Sequence, residues 1–233
     1  MPAEPLASSP LADAEPPAGC TLCPRLAAFR EENRRQYPSF FNGAVPSFGD
    51  PAARLLVVGL APGLKGANRT KRPFTGDYAG EILYPTLIEF GLARGTFRAD
   101  PEDGLTLVDS MVTNAVRCVP PKNKPIGAEI ANCRPFLAAR IAALPRLRSV
   151  LLLGRIAHDS AIAALGGRPS RYPFAHARRH FLGGYVLVDS YHCSRYNMNT
   201  RRLTLDMFRE AVRIAVTSMD MDEEGGHPHE REP

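Results

Sequence analysis

The sequence contains no apolar run long enough to cross a membrane. Its apolar segments, such as Leu55–Leu60 and Val150–Leu153, fall far short of the roughly 18–20 residues that a transmembrane helix requires. The N-terminus also lacks a basic start followed by an apolar segment, so we expect no secretory signal. We therefore expect a cytoplasmic protein that does not contact a membrane.

Cysteines are few, and disulfides are not expected for them in a reducing compartment. Cys20 and Cys23 have the spacing of a metal-chelating pair. Cys118 follows a predicted strand and Cys133 lies on or near the next predicted helix, so the four thiols can meet at one sheet edge. From spacing alone, a zinc ion, a [4Fe–4S] cluster and simple burial of the latter two as small apolar side chains all stay open. Cys193, beside a polar loop, is interpreted as a bystander thiol.

Acidic residues are scarce in the middle of the chain. The net charge of the whole chain is +5, but residues 1–18 and 219–233 together hold nine acidic residues and a single basic one. Residues 19–218 therefore hold 28 basic and 15 acidic residues, a net charge of +13. Such a charge favours a polyanionic partner, of which nucleic acid is the commonest. A composition generally rich in arginine explains it equally simply.

Internal repeats are absent, and the two ends differ in composition from the rest. We predict a disordered lead over 1–18, a disordered acidic tail over 219–233 and one domain over 19–218. Strands are predicted within Arg54–Leu60, Leu105–Val116, Val150–Leu153 and Tyr185–Val188. Helices are predicted over Ala79–Ala93, Ala128–Ala143, Ile156–Leu165 and Thr200–Val216. This alternation predicts an α/β fold with a parallel sheet and helices on both faces.

The glycine-rich segment after the first strand lacks both common nucleotide-binding motifs. It contains neither a Walker P-loop nor a G-x-G-x-x-G fingerprint, which weakens the hypothesis of a small-molecule enzyme. Ligands of parallel sheets bind beyond the carboxyl ends of the strands. Three chemically suggestive segments follow predicted strands, namely Gly59–Asp77, Asn114–Cys118 and Ser190–Asn197.

These segments belong to three longer motifs, GLAPGLKGANRTKRPFTGD, TNAVRCVPPKNKP and SYHCSRYNMNTRRLT. In that order they resemble the signature segments of the family-5 uracil-DNA glycosylases, the UDGb group, and the four-cysteine pattern is similar to that of this family and its family-4 sister. The resemblance spans about Cys20–Thr204. It implies a three-layer αβα sandwich with a four-stranded parallel sheet. It also implies a [4Fe–4S] cluster held by Cys20, Cys23, Cys118 and Cys133.

The function that the resemblance implies is DNA repair. A monofunctional glycosylase of this kind hydrolyses the N-glycosidic bond of uracil in DNA, with hypoxanthine and xanthine as further substrates, and leaves an abasic site. We expect it to act as a monomer on DNA that contains deaminated bases. An inserted Lys-Arg-Arg-Ile-His loop, which marks a related group that becomes covalently attached to DNA, is absent from the chain, so we expect turnover.

The resemblance assigns roles around a base that is flipped out of the duplex. Cleavage builds positive charge on the sugar and negative charge on the departing base. Asp77 would stabilise the sugar and orient a water, and His192 would stabilise the base at its carbonyl oxygen in position 2. Asn114 would face the Watson–Crick edge and Phe74 would stack on the base. Simpler roles stay open for each: a helix cap, an inert loop histidine, a strand terminus and a core aromatic.

Further contacts with DNA are expected from the same loops. The amides of Gly63 and Leu64 would donate hydrogen bonds to the base. Phosphate contacts are predicted for Lys65, Arg69, Lys71, Arg72, Lys122 and Lys124. The loop that enters the duplex would hold Arg195, Arg201 and Arg202. Tyr196 or Met198 would fill the gap left in the base stack; solvated side chains at a helix start are the simpler interpretation.

One departure from the family pattern leaves a second hypothesis open. Cys193 stands where relatives commonly have proline, which puts the rigidity of its loop in question. A non-catalytic, nucleic-acid-binding member of the same superfamily would use only the cluster and the basic surface. The presence of both Asp77 and His192 favours the enzyme.

Overall fold

The structure is a computed structural model that describes residues 14–221. The strands are β1 (Phe48–Gly49), β2 (Leu55–Gly59), β3 (Ala93–Arg94), β4 (Thr106–Leu107), β5 (Ser110–Asn114), β6 (Ser149–Leu153), β7 (Arg179–Leu182) and β8 (Tyr185–Ser190). The helices are α1 (Pro24–Gln36), α2 (Ala67–Thr70), α3 (Tyr78–Glu89), α4 (Gly127–Ala142), α5 (Arg155–Ala164), α6 (Arg195–Asn199) and α7 (Leu205–Thr217). None of these helices is both long enough and apolar enough to cross a bilayer.

The main sheet has the strand order β1-β5-β2-β6-β8-β7. Its four central strands run parallel, and β1 and β7 add an antiparallel strand at each edge. The predicted four-stranded parallel sheet is therefore confirmed, with two edge strands added. Strands β3 and β4 form a separate antiparallel ribbon.

Both faces of the sheet are covered by helices, which is why β2 is apolar at every position. Leu55 and Val57 lie in the core that contains side chains of α3 and α7. Leu56 and Val58 lie in the second core, which contains side chains of α4 and α5. Alternate residues of a strand point to opposite faces, so one short strand supplies two cores. The predicted three-layer αβα sandwich is confirmed.

The N-terminal boundary predicted at residue 19 lies too late in the chain. Ala14 is fully buried, and the Glu15 carboxylate forms ion pairs with Arg117 at 2.8 Å and Arg140 at 2.5 Å. The composition of this segment does not reveal a specific ion pair made by a single residue. Residues 1–13 of the predicted lead lie outside the described residues.

The C-terminal boundary predicted at residue 218 also lies too early. Met219 is buried in the core shared with α7, and Asp220 pairs with Arg54 at 2.7 Å. The domain therefore continues into the first residues of the predicted acidic tail. Residues 222–233 lie outside the described part of the chain.

Three helices are absent from the predictions because they bury little apolar surface. Helix α2 has only four residues, and Ala67 is its one buried apolar residue. Helix α1 begins with proline at its first position, a favoured place for proline, and buries only Leu26, Arg30 and Asn33. Helix α6 buries no residue. The last helix is predicted from Thr200 but begins five residues later, at Leu205. Thr204 caps it by accepting a hydrogen bond from the Met207 amide.

Candidate active site and cysteine centre

Residues at or beyond the carboxyl ends of three of the four parallel strands, β2, β5 and β8, enclose a pocket. Its lining consists of Ala61, Pro62, Ala67, Phe74, Asp77, Ala79, Asn114 and His192. The four side chains that the resemblance assigns to the base and the sugar all belong to this lining. They come from the segment after β2, the last residue of β5 and the loop after β8, which the parallel strands bring together at their carboxyl ends.

Asp77 caps helix α3 and lies against the glycine-rich loop. Its Oδ1 accepts a hydrogen bond from the Gly80 amide at 3.3 Å. Its Oδ2 is so close to the loop that a Cβ added to Gly66 would lie 2.5 Å from it, and one added to Gly63 would lie 3.3 Å from it. Burial raises the pKa of Asp77, although the amides of Gly80 and Ala79 oppose that shift. The predicted helix cap and the carboxylate of the pocket are thus the same group.

His192 forms another wall of the pocket. Its ring is nearly parallel to that of Phe74, with an angle of 23° and a centroid distance of 6.1 Å. Burial lowers the pKa of His192 to about 4, so the ring is neutral at pH 7 and offers one N–H donor. Its ring nitrogens make no hydrogen bond within residues 14–221. The main-chain carbonyl accepts a hydrogen bond from Asn197 Nδ2 at 2.8 Å, which holds the loop.

Phe74 and Asn114 both touch the end of strand β2 at Gly59. A Cβ added to Gly59 would lie 2.4 Å from the Phe74 ring and 2.5 Å from Asn114 Oδ1. Phe74 has a φ of 53°, a conformation that bulky side chains rarely adopt. Asn114 is only 3% exposed, and its side-chain amide makes no hydrogen bond with a described residue. Strained backbone is costly, and it concentrates at functional sites.

The two predicted amide donors of the glycine-rich loop lie beside the pocket rather than in its lining. The carbonyl of Gly63 accepts hydrogen bonds from the amides of Gly66 and Asn68. The amides of Gly63 and Leu64 donate none within the described part of the chain. Their contact with a base stays a prediction.

A second centre lies away from this pocket, where four cysteines surround one small cavity. All of the cysteines are free thiols, and Cys20, Cys23, Cys118 and Cys133 line this cavity together. Cys118 and Cys133 belong to a small apolar cluster of their own, against which the other two pack. The structure therefore brings together the four residues predicted as metal ligands.

Three of these sulfurs accept hydrogen bonds from N–H groups. Arg30 Nη1 donates to Cys118 Sγ at 3.5 Å, and the Arg117 amide donates to Cys133 Sγ at 3.3 Å. Asn132 Nδ2 donates to Cys23 Sγ at 3.7 Å. Hydrogen bonds to the sulfurs are a general feature of thiolate-bound metal centres. The donor set and its surroundings fit a metal group bound through four thiolates.

Comparison with known proteins identifies the family. Residues 46–215 match the model of the uracil DNA glycosylase superfamily. The chain belongs to this superfamily. A type-5 uracil-DNA glycosylase of Thermus thermophilus is 46% identical over 199 residues, which cover 83% of this chain and 90% of that protein. A type-5 enzyme of Mycobacterium tuberculosis is 39% identical over 209 residues, 84% of this chain and 78% of that protein.

A type-4 uracil-DNA glycosylase of Sulfurisphaera tokodaii is more distant. It is 28% identical over 191 residues, which cover 76% of this chain and 77% of that protein. The similarity to type-5 enzymes is thus both higher and longer, and the predicted resemblance to family 5 is confirmed.

In this member of the superfamily, Cys193 anchors the loop that carries His192. Its side chain is fully buried, and its Sγ donates a hydrogen bond to the Ala79 carbonyl at 3.6 Å. Ser194 then caps helix α6 by accepting a hydrogen bond from the Asn197 amide. The thiol holds the loop through packing, where a proline acts through its fixed φ angle.

Most of the basic side chains predicted to contact DNA are exposed. They are Lys65, Arg69, Lys71, Lys122, Lys124, Arg195, Arg201 and Arg202. Arg72 is different, because it is only 4% exposed and its guanidinium bonds both carboxylate oxygens of Asp103, at 2.8 and 2.7 Å. The predicted phosphate contact of Arg72 is therefore wrong. Arg72 stands among other basic residues, and the sequence gives no sign that its side chain is buried.

The two candidates for filling the base stack differ in exposure. Tyr196 is 72% exposed on helix α6, whereas Met198 packs against the core. Of the two, only Tyr196 presents a large apolar surface to solvent.

His192 also lines a larger cleft of about 420 Å³. Its walls include Arg155 and Arg202, whose guanidinium groups lie over the rings of Phe174 at 5.4 Å and Tyr191 at 4.8 Å. Arg155 was missed by the sequence predictions. It begins helix α5, separated from the end of β6 only by Gly154, so the rule that ligands bind beyond strand ends could have pointed to it.

Proposed function

We propose that this chain excises uracil from DNA by hydrolysing its N-glycosidic bond. The observation that supports this most is the pocket itself. It joins an aromatic ring, an unpaired amide, a neutral imidazole and a carboxylate on residues that match the motifs of the family. Deaminated purines such as hypoxanthine and xanthine present similar carbonyl edges and are further substrates within this proposal.

Recognition of the base falls to Asn114 and Phe74. A side-chain amide offers one donor and one acceptor, which pair with the carbonyl and N–H of an imide such as uracil. The Phe74 ring offers a stacking surface that any base can use. The side-chain amide of Asn114 makes no hydrogen bond with a described residue. It is therefore available to a base that enters the pocket.

Cleavage falls to Asp77 and His192. The ionised Asp77 carboxylate stabilises the positive charge on the sugar and holds the attacking water. The neutral His192 ring donates its N–H to the carbonyl oxygen at position 2 as negative charge develops on the base. Both contacts grow stronger in the transition state, which is the condition for catalysis.

The product of this reaction is an abasic site with an intact strand. Among the described residues that line the pocket, none is a lysine, so no amine is placed to attack C1′ and cleave the backbone. Exposed basic side chains around the pocket hold the phosphates. We expect a monomer that acts on chromosomal DNA in the cytoplasm.

The cysteine centre is assigned a [4Fe–4S] cluster held by Cys20, Cys23, Cys118 and Cys133. Support comes from the shared cavity, the N–H···S hydrogen bonds and the similarity of the cysteine pattern to the family. When bound, such a cluster ties the segment before α1 to the loop after β5 and to α4. Hydrolysis transfers no electron, so the role is structural.

A labelled duplex with one G·U pair tests the proposal. Incubation followed by alkali should cut the labelled strand only where uracil stood, and omission of alkali should leave it intact. Binding to the duplex without release of uracil would sink the enzymatic function and favour a non-catalytic binding protein. Parallel duplexes with hypoxanthine and xanthine define the range of substrates.

A further inference from the structure

Three buried titratable side chains from α5, β7 and β8 form a cluster outside the pocket. His158 Nδ1 is 2.6 Å from Asp189 Oδ1, and His180 Nε2 is 2.9 Å from Asp189 Oδ2. All three residues are buried, and their ligand-type atoms lie within 4.8 Å of one another. The nitrogen–oxygen distances are those of direct hydrogen bonds. The geometry therefore describes a directly hydrogen-bonded network rather than ligands spread around an ion.

His158 has a hydrogen-bond acceptor at each ring nitrogen. Nε2 lies 2.7 Å from the Tyr172 carbonyl oxygen, which can only accept. Nδ1 faces the carboxylate of Asp189, and Asp159 lies 3.9 Å from Nε2. A histidine that donates from both nitrogens is an imidazolium. Although burial alone would lower it, the hydrogen bond and charge of Asp189 raise the pKa of His158.

Asp189 makes hydrogen bonds at both carboxylate oxygens. Besides the two rings, its Oδ2 accepts from the Ala175 amide at 3.2 Å. A carboxylate that accepts several hydrogen bonds is stabilised as the anion. The proton therefore resides on His158, and the pair carries one positive and one negative charge in the interior.

We propose that the His158–Asp189 ion pair is a positioning device for His192. Asp189 is the penultimate residue of β8, three positions before His192. His158 lies on α5, one turn after Gly154, where an added Cβ would lie 3.4 Å from His192 Cβ. The ion pair therefore fixes β8, which leads to His192, against α5. The N-cap residue of α5, Gly154, lies next to His192.

A second set of contacts fixes Tyr191, the residue before His192. The Ala177 amide donates to the Asp189 carbonyl at 2.8 Å. The Tyr191 amide donates to His176 Nδ1 at 3.2 Å, and the two rings stack at 5.2 Å. The segment before β7 therefore holds the end of β8 on both sides of Ser190. The positioning role rests on the proposed catalytic role of His192, whereas the charge state of His158 does not.

The first test is the protonation state of His158 in the wild-type holoprotein. Nitrogen-detected NMR at pH 7 should show both ring nitrogens of His158 protonated and His192 neutral. A neutral His158, or a metal ion bound at this network, would overturn the proposal. This measurement needs no activity, so it stands even if uracil excision fails.

The second test is a double-mutant cycle with the catalytic loop. His158→Gln should lower the single-turnover rate on a G·U duplex by about 10- to 100-fold and leave DNA affinity unchanged. In a His192→Ala background the same substitution should have little further effect, because the network acts through His192. Equal losses in both backgrounds would show a merely structural role and refute the positioning device.

Matched variants complete this test. Asp159→Asn removes the neighbouring carboxylate, which makes no direct hydrogen bond to His158, and should leave the rate unchanged. The pair His158→Gln with Asp189→Asn restores a neutral hydrogen-bonded contact and should recover part of the rate lost by Asp189→Asn alone. Absence of any recovery in a folded double variant would count against the proposal.

Discussion

The rings of Phe74 and His192 face each other across the pocket at 23° and a centroid distance of 6.1 Å. A base stacked flat between two rings needs about 7 Å, twice a van der Waals contact. The base therefore cannot stack on both rings without a shift, and an approach edge-on to His192 suits the N–H donor that we assign to it. Phe74, which has a φ of 53°, bounds one side of this gap between the rings.

Gly59→Ala tests how closely this width is controlled. The new Cβ would lie 2.4 Å from the Phe74 ring and 2.5 Å from Asn114 Oδ1, so both base contacts must move. We expect the single-turnover rate of uracil release to fall by about 100-fold. Gly127→Ala is the matched control, because a Cβ there meets nothing within 4 Å. Wild-type activity of Gly59→Ala would show that the two walls are free to adjust.

Asp77→Asn should lower the rate of uracil release by about 100- to 1000-fold, the usual effect of removing one charge-stabilising group. The carboxylate acts in its ionised form, and burial raises the pKa of Asp77. In the wild-type enzyme kcat/KM should therefore fall as the pH drops through a value above the ordinary range of aspartate. The profile should stay level at higher pH, because His192, with a pKa of about 4, is already neutral.

Glu81→Gln is the control for this profile. Glu81 is exposed on the same helix and its charge adds to the upward shift in the pKa of Asp77. Removing that charge should move the acid limb slightly to lower pH and leave the maximum rate unchanged. An unchanged acid limb in Asp77→Asn would assign it to another group.

The pocket could be predicted because its residues follow apolar strands. Once β2, β5 and β8 are recognised as buried parallel strands, Asn114 and His192 must lie at the same edge. The motifs then supply Phe74 and Asp77. Their simpler interpretations are confirmed, since Asp77 caps α3 and Phe74 packs in the core. Both side chains also line the pocket, as the proposed roles require.

Side-chain direction in loops could not be predicted in the same way. Arg72 and Arg69 stand in one basic run, yet Arg72 is buried against Asp103 and Arg69 is exposed. Glu15 pairs with two buried arginines from a segment of unremarkable composition. Such pairs depend on residues far apart in the chain, and no local periodicity reports them.

Arg72→Met should destabilise the fold rather than weaken DNA binding. It leaves the Asp103 carboxylate buried without its partner, which costs about 3–5 kcal/mol. The salt dependence of DNA affinity should not change. Arg69→Gln should instead reduce the slope of log affinity against log salt by about 1 and leave thermal stability intact. Measuring both properties for both variants separates the buried arginine from the exposed one.

Because Arg72 lowers the pKa of Asp103 well below its usual range, the pair should also make stability depend on pH. A carboxylate with a lowered folded-state pKa contributes stability above its unfolded pKa and loses it as the pH falls. Wild-type protein should thus lose stability on acidification below about pH 4, and Arg72→Met should lose less.

Tyr196→Ala should impair action on duplex DNA more than on single strands. Its ring is 72% exposed, and filling the gap left by a flipped base stabilises the extruded state only where a stack exists. We expect KM for a G·U duplex to rise and that for a single-stranded uracil substrate to stay constant. Phe181→Ala is the control, since Phe181 is 48% exposed on the edge strand β7. Equal losses on both substrates would remove Tyr196 from this role.

Arg30→Met should weaken the proposed cluster. Arg30 is 2% exposed and donates from Nη1 to Cys118 Sγ and from Nη2 to the Cys20 carbonyl. Its loss removes a positive charge that favours the more negative, reduced cluster, so the reduction potential should fall. Iron should also be lost to a chelator about 10 to 100 times more readily. Arg34→Gln, on the exposed side of α1, should change neither quantity; a potential that rises in Arg30→Met would contradict the charge argument.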